Sequence, residues 1–222
     1  MYETWRDLID EREEDHPAHL VQAVNAINTY LENEEDDGIA WTLLSEALYW
    51  LGEYATSDED KEKFHAQGVK AGERAVSFSE EDVAAHLWYA ANMGSHGLIK
   101  GIMSSLFYIK PIEKHGSLAL EMEEDFFFGA PLRLMGRFYH QCPPWPVGPG
   151  DKKKALSLLN RAVELAPEFL LNRYFLALLL KDMKRKAEAQ SHLEAITVSD
   201  DLDVYPVYQA MVQSWAREAL KG

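Results

Sequence analysis

Cysteine is nearly absent from this sequence. Cys142 stands alone, so no internal disulfide framework can hold the fold together. Glycine and proline, at 13 and 9 of 222 residues, are too few for a low-complexity chain. Short alternating segments of the kind that form strands are scarce. Long runs with apolar residues every three or four positions take their place, which predicts an all-helical chain. No apolar run reaches the roughly 20 residues that span a bilayer, so no membrane insertion is expected. Basic residues are also in deficit, 22 against 37 acidic, for a net charge of −15. A field of that sign repels nucleic-acid backbones and anionic membrane surfaces, and excludes both as general partners.

What is plentiful is apolar and acidic. Hydrophobic residues make up 47%, enough for a substantial core and too many for wholesale disorder. The acid is clustered at Glu11–Asp15, Glu32–Asp37, Asp58–Glu62 and Glu121–Asp125. Such runs are solvated helix ends or a docking face for a basic partner.

Residues 150–169, GDKKKALSLLNRAVELAPEF, name the architecture. Ala155, Leu159 and Ala162 fall at intervals of four and three, with Pro167 five residues further on. Small Ala155 and Ala162 admit a neighbouring helix, Leu159 fills the gap, and Pro167 stops the helix. This is the second half of a tetratricopeptide repeat. Ala189 follows Ala155 by 34 residues, the standard period, with Leu193 and Ile196 behind it. A unit of this kind cannot bury its apolar face alone, so stacked neighbours and a concave surface are implied.

Counting outwards from this unit predicts one helical-repeat domain, 1–222, an all-α superhelix of antiparallel helix pairs with a right-handed, tetratricopeptide-like sense. Residues 1–37 form an N-terminal helical cap, with His19–Leu31 as an amphipathic helix. Repeats follow at 38–78, 82–126, 127–169 and 170–201, with a capping helix at 202–222. That makes about four units and nine to eleven helices. Gly94, Gly97 and Gly101 interrupt one run, at a cost of about 1 kcal/mol each in a helix interior, and predict two shorter helices or a kink there.

Candidate contact residues lie where the repeat rules are broken. In FFFGAPLRLMGRFY (126–139), Gly129 and Pro131 make a turn into a helix, with Pro131 in its first turn. Arg133 and Arg137 then share one face, four residues apart. They can fork onto a carboxylate of a ligand or partner, or tie repeats together by pairing with the acidic cluster at 121–125. Trp88 reads as a core aromatic, whereas Tyr89 and Asn92 are expected to face the groove, an aromatic with one polar fixing point. In the insert CPPWPVGPG (142–150), Trp145 sits on a proline-stiffened loop, either as an interface anchor or as a lid lying back on the repeat.

No catalytic residue, metal or cofactor is expected. His16 and His19 are three apart, but Pro17 lies between them and no second cluster has ligand spacing. His86, His96, His115 and His140 are spread over separate turns. His140 and Cys142 lack an orienting third residue, and prolines flank them. The opening MYETWRDLIDEREEDH has neither the basic start nor the apolar core of an export signal. The location expected is cytoplasmic if Met1 is the native start, and periplasmic if a leader has been removed.

Between Ala84 and Ile196 the segments HLWYAANMG, ALEMEEDFFFGAPLRLMGRFY, the proline-rich insert, GDKKKALSLLNRAVELAPEFL and LALLLKDMKRKAEAQSHLEAI occur in this order. In this order they resemble the T-component family of helical-repeat proteins associated with tripartite ATP-independent periplasmic (TRAP) transporters. A weaker similarity links the G-R-F-Y region to the eukaryotic regulator-of-microtubule-dynamics proteins. The first resemblance implies a non-enzymatic repeat protein that docks a substrate-binding protein and takes a small apolar carboxylate ligand. It also implies homo-oligomers, since some members form trimers. The alternative expectation is a cytoplasmic adaptor that binds a peptide or protein partner and has no role in transport.

Overall fold

Side-chain caps open the helices of this protein where the sequence places Asp or Ser before an apolar run. Asp37 accepts from the amide of Ala40 at 3.0 Å, Ser57 from Asp60 at 3.1 Å and Asp82 from Ala84 at 2.9 Å. Each satisfies an amide that has no partner within its own helix. The computed structural model describes residues 1–15, 17–101, 106–200 and 202–221. His16 of the His16–His19 pair lies outside them.

Among these residues the fold is all-α, with eleven α-helices in antiparallel pairs of the α-α superhelical class. Contacts divide the chain into two compact units, Met1–Met122 and Glu123–Gly222. The first holds α1 (Tyr2–Asp10), α2 (Ala18–Leu31), α3 (Gly38–Tyr54), α4 (Asp58–Phe78), α5 (Val83–Lys100), a 3-10 turn (Leu106–Tyr108) and α6 (Ile109–Met122). Successive helices pack on one another from α1 to α6, and α3 also packs on α5. The second holds α7 (Phe126–Gln141), α8 (Lys152–Leu165), α9 (Leu170–Asp182), α10 (Lys186–Thr197) and α11 (Pro206–Lys221). Here too each helix packs on the next, and α9 touches both α7 and α11.

The small-residue positions explain how these helices come so close. In the second unit Ala155, Leu159 and Ala162 are fully buried, and a Cβ on Gly136 would lie 2.6 Å from Leu159 Cγ. Helix α8 stops at Leu165, two residues before Pro167. In the first unit Gly52 faces the His65 ring, Gly68 faces the Asn92 carboxamide, and Gly72 faces the backbone of Tyr89.

The glycine-interrupted run behaves differently from expectation at two of its three positions. Helix α5 passes straight through Gly94 and Gly97 and ends at Gly101, whose φ of +86° lies in the left-handed region. Added side-chain atoms at Gly94 would meet nothing, so its cost is only the intrinsic one and packing of the rest of α5 offsets it. The break falls where backbone conformation requires glycine.

These geometries separate two glycines by experiment. Gly72→Ala puts a methyl 2.7 Å from Tyr89 Cα, and the overpacking is expected to cost about 1–3 kcal/mol. Gly94→Ala is expected to be neutral or to stabilise by up to about 1 kcal/mol. Urea unfolding midpoints of the two variants, compared with the parent, measure both; equal midpoints would contradict the close approach.

Candidate functional site

Asn92 sits at the centre of the first unit and is fully buried. Its Nδ2 donates to the carbonyl and hydroxyl of Ser45, at 3.0 and 3.2 Å, and to the Trp88 carbonyl at 2.9 Å. Its Oδ1 accepts from His65 Nδ1 at 3.1 Å, which fixes that tautomer, and burial keeps the His65 pKa below its ordinary value. The groove exposure expected for Asn92 is therefore corrected: Gly68 clears space for the carboxamide, and the whole amide is spent inside. Tyr89, one turn earlier, is half-buried across Gly72, with its ring edge-on to His115 at 5.0 Å.

His86 and His115, 29 residues apart, also meet here, which their positions in the sequence did not reveal. Their Nδ1 atoms are 2.7 Å apart, and His86 Nε2 lies 2.8 Å from the Glu80 carbonyl. A carbonyl only accepts, so His86 carries its proton on Nε2, and its Nδ1 accepts a hydrogen bond from His115 Nδ1. Burial, then the neighbouring His86, pushes the His115 pKa down to about 4.

The second unit begins with a strained corner. Phe127, Phe128 and Gly129 have φ of 44°, 57° and 69°, three consecutive left-handed residues of which only the last is glycine. Such backbone costs roughly 1–2 kcal/mol per non-glycine residue and persists only where its surroundings hold it. The Phe128 ring stacks on Phe169 at 5.1 Å and 5°, and the Phe127 ring on Tyr205 at 5.8 Å. The Phe128 carbonyl accepts from Arg133 Nη1 and Asn172 Nδ2, each at 3.1 Å.

Arg133 completes this corner. Its Nη1 donates to Asn172 Oδ1 at 2.7 Å, and its guanidinium lies 4.7 Å from the Phe169 ring centre. The side chain is buried, which corrects the groove role expected for it; it ties α7 to α9 through Asn172. Glu124 of the acidic cluster at 121–125 goes to Arg161, at 2.7 Å.

Arg137, one turn on, points elsewhere. It is half-buried, its guanidinium 4.9 Å from the Phe175 ring, and its Nη1 donates to His140 Nδ1 at 3.2 Å. His140 Nε2 in turn donates to Asp182 at 2.8 Å, so the imidazole is neutral and of fixed tautomer. Burial holds the pKa of both Arg137 and His140 below their ordinary values. Next to Phe175 stands Tyr174, and 5.9 Å beyond it Trp215, both half-buried. Helices α7, α9 and α11 thus present a continuous aromatic strip ending in one cation. Only Arg137 of this strip was picked out from the sequence. Tyr174 and Phe175 were legible as the aromatics that fall off the Leu176–Ala177–Leu180 core stripe, whereas Trp215 carried no such signal.

Trp145 is 86% exposed on the 142–150 loop and does not lie back as a lid. The five sequence candidates thus separate: Asn92 and Arg133 are interior, Tyr89 and Arg137 half-buried, and Trp145 exposed. Tyr89 and Asn92 belong to one unit, the other three to the second. Among the described residues no three His, Cys, Asp or Glu side chains are grouped to hold a metal, and no helix is long and apolar enough to cross a membrane.

The model of the family described as regulator of microtubule dynamics protein 1-3 matches residues 1–142. The chain belongs to that family. Among relatives, regulator of microtubule dynamics protein 1 of Bos taurus is 24% identical over 207 residues, covering 87% of this chain and 64% of the bovine protein. The same protein of Pongo abelii is 25% identical over 154 residues, covering 64% of this chain and 48% of its own length. The chain thus spans less than two thirds of either relative. This match corrects the resemblance to T-components of TRAP transporters. The weaker of the two similarities marks the family. A substrate-binding protein as partner, which rested on the transporter resemblance alone, falls with it.

Two outcomes are expected. Asn172→Ala strips the Phe128 carbonyl and Arg133 of a buried partner and is expected to cost about 1–3 kcal/mol, read from the thermal midpoint. Acidification also weakens the first unit. His115 titrates at about 4 when folded, against an ordinary value of 6.5, so the unfolded chain takes up the proton first as pH falls. The contribution of neutral His115 is whole above about pH 6.5 and lost progressively towards about pH 4. Melting temperature against pH should show that slope, and His115→Phe should flatten it.

Proposed function

We propose that this chain is a non-enzymatic adaptor that holds a segment of a protein partner on the aromatic strip of its second unit. Arg137 takes a carboxylate of that segment, and Tyr174, Phe175 and Trp215 take its apolar side chains. One observation carries the reading. Arg137 is desolvated and stacked on Phe175, yet among the described residues it makes a single side-chain hydrogen bond, to a neutral imidazole. A guanidinium fixed in this way has donors to spare and has already given up much of its water, the state in which a forked bond to a carboxylate is strongest. Half-buried aromatics beside it supply contact area at low ordering cost. The net charge of −15 disfavours long-range attraction of an acidic partner, so recognition here is short-range and local.

Relatives bearing the name regulator of microtubule dynamics protein support a partner drawn from assemblies that control microtubules. A peptide or protein partner with no transport role is the reading favoured over ligand transfer to a transporter.

Selection from a random peptide library displayed with free C-termini tests the proposal. The expected winners carry a carboxylate next to large apolar residues. Arg137→Lys, which keeps the charge and loses the fork, should weaken a selected peptide by roughly tenfold with a melting temperature near the parent's, and Trp215→Phe, which keeps an aromatic ring against Tyr174, should weaken it less. Peptides that bind both variants as tightly as the parent would refute the assignment.

A further inference from the structure

The loop that carries Trp145 is pinned along its backbone. Gly150 N donates to the Pro143 carbonyl at 2.9 Å, Val147 N to Pro144 at 3.1 Å, and Asp151 N to Tyr139 at 3.0 Å. Four prolines add stiffness, so Trp145, 86% exposed, and Val147, 69% exposed, are held out at little further entropic cost. Next to them α8 opens on Lys152, Lys153 and Lys154, all exposed. The next helix pair turns at the same edge: Lys152 Nζ reaches the Asp182 carbonyl at 3.3 Å, where α9 ends. The run Lys184, Arg185 and Lys186 follows that end immediately.

Helix pairing therefore brings two basic runs, far apart in sequence, to one edge, and the loop that carries Trp145 leads directly into the first of them. With Lys181 they make seven cations against three carboxylates, in a chain whose net charge is −15. All three carboxylates are engaged: Asp151 caps α8, Asp182 holds His140 and Glu188 pairs with Arg185. This edge begins where the family match ends, at residue 142.

We propose that this edge is a docking surface for a short acidic protein segment carrying one large apolar side chain. Trp145 takes the apolar side chain, and Lys153, Lys184 and Lys186 take the carboxylates. Charge complementarity argues for a protein segment over an anionic membrane or nucleic acid. An extended anionic surface would also feel the acidic remainder of the chain. A short segment feels only charges within about 8–10 Å, the screening length at physiological salt. The surface stands on its own residues and does not require the aromatic strip to be occupied.

Fluorescence anisotropy of a labelled glutamate-rich peptide with a single phenylalanine, added to the full chain, tests this. Binding should fall steeply with salt and be absent for a peptide with lysine in place of glutamate. Trp145→Ala should weaken it roughly tenfold, and the pair Lys153→Glu with Lys184→Glu should abolish it, with circular dichroism and melting temperature unchanged. Equal binding by all variants, or none by the parent, overturns the proposal. So does loss, in those variants, of flotation with three-to-one phosphatidylcholine–phosphatidylserine vesicles when the peptide does not bind, which would assign the edge to membranes. Concentration-dependent sedimentation of the parent that the variants abolish, without peptide binding, would assign it to a second copy of the chain.

Discussion

Close approach of helices is the constraint on which both units depend. Where Gly68 faces Asn92 and Gly72 faces Tyr89, the absence of a side chain on α4 lets α5 come near enough for its carboxamide to reach Ser45 on α3. Gly136 does the same for Leu159 in the second unit. Contact at that distance leaves no room for water between the helices, so any polar group there must find a protein partner. The buried polar groups follow from this. Asn92 and Asn172 each knit three segments together, and each does so with every hydrogen-bonding atom of its amide.

The two units use this economy for different ends. In the first, polar groups turn inwards: Asn92 with His65, His86 with His115, and buried Glu46 with Arg6 at 2.9 Å. In the second, Arg133 and Asn172 brace a left-handed corner, and one turn later α7 sets Arg137 against a half-buried row of aromatics. Bracing, and the recognition proposed for Arg137, are thus one helical turn apart on the same helix and fall to chemically identical side chains.

That pairing also explains what was legible in the sequence. The Ala155–Leu159–Ala162–Pro167 spacing announced a helix and its neighbour because small and large residues at helical intervals have one structural meaning. Arg133 and Arg137 at an interval of four announced only a shared face. Which of them reaches solvent depends on the left-handed turn at 127–129, a property of rings contributed by Phe169 and Tyr205 that no local pattern encodes. Asn92 misled for a related reason, since an amide one turn from Trp88 reads the same whether it faces a groove or a glycine. The His86–His115 pair was invisible because it is made by packing across 29 residues. Family likeness misled for the opposite reason. Small and large residues at repeat spacing recur wherever such helices stack, so they mark the fold more clearly than the family.

His140 joins Arg137 to Asp182, yet it passes only one of two things between them. Its ring receives a hydrogen bond on one nitrogen and gives one on the other, so the geometry of the carboxylate is handed on to the guanidinium. Direct contact is not made, because a neutral imidazole stands between anion and cation; the charge of Asp182 still favours the charged guanidinium through space. The side chain is a coupling that transmits aim without a direct ion pair between Arg137 and Asp182. A cation held by a carboxylate directly would be steady but spent. Held at one remove, Arg137 is steady and still has its full positive charge to offer.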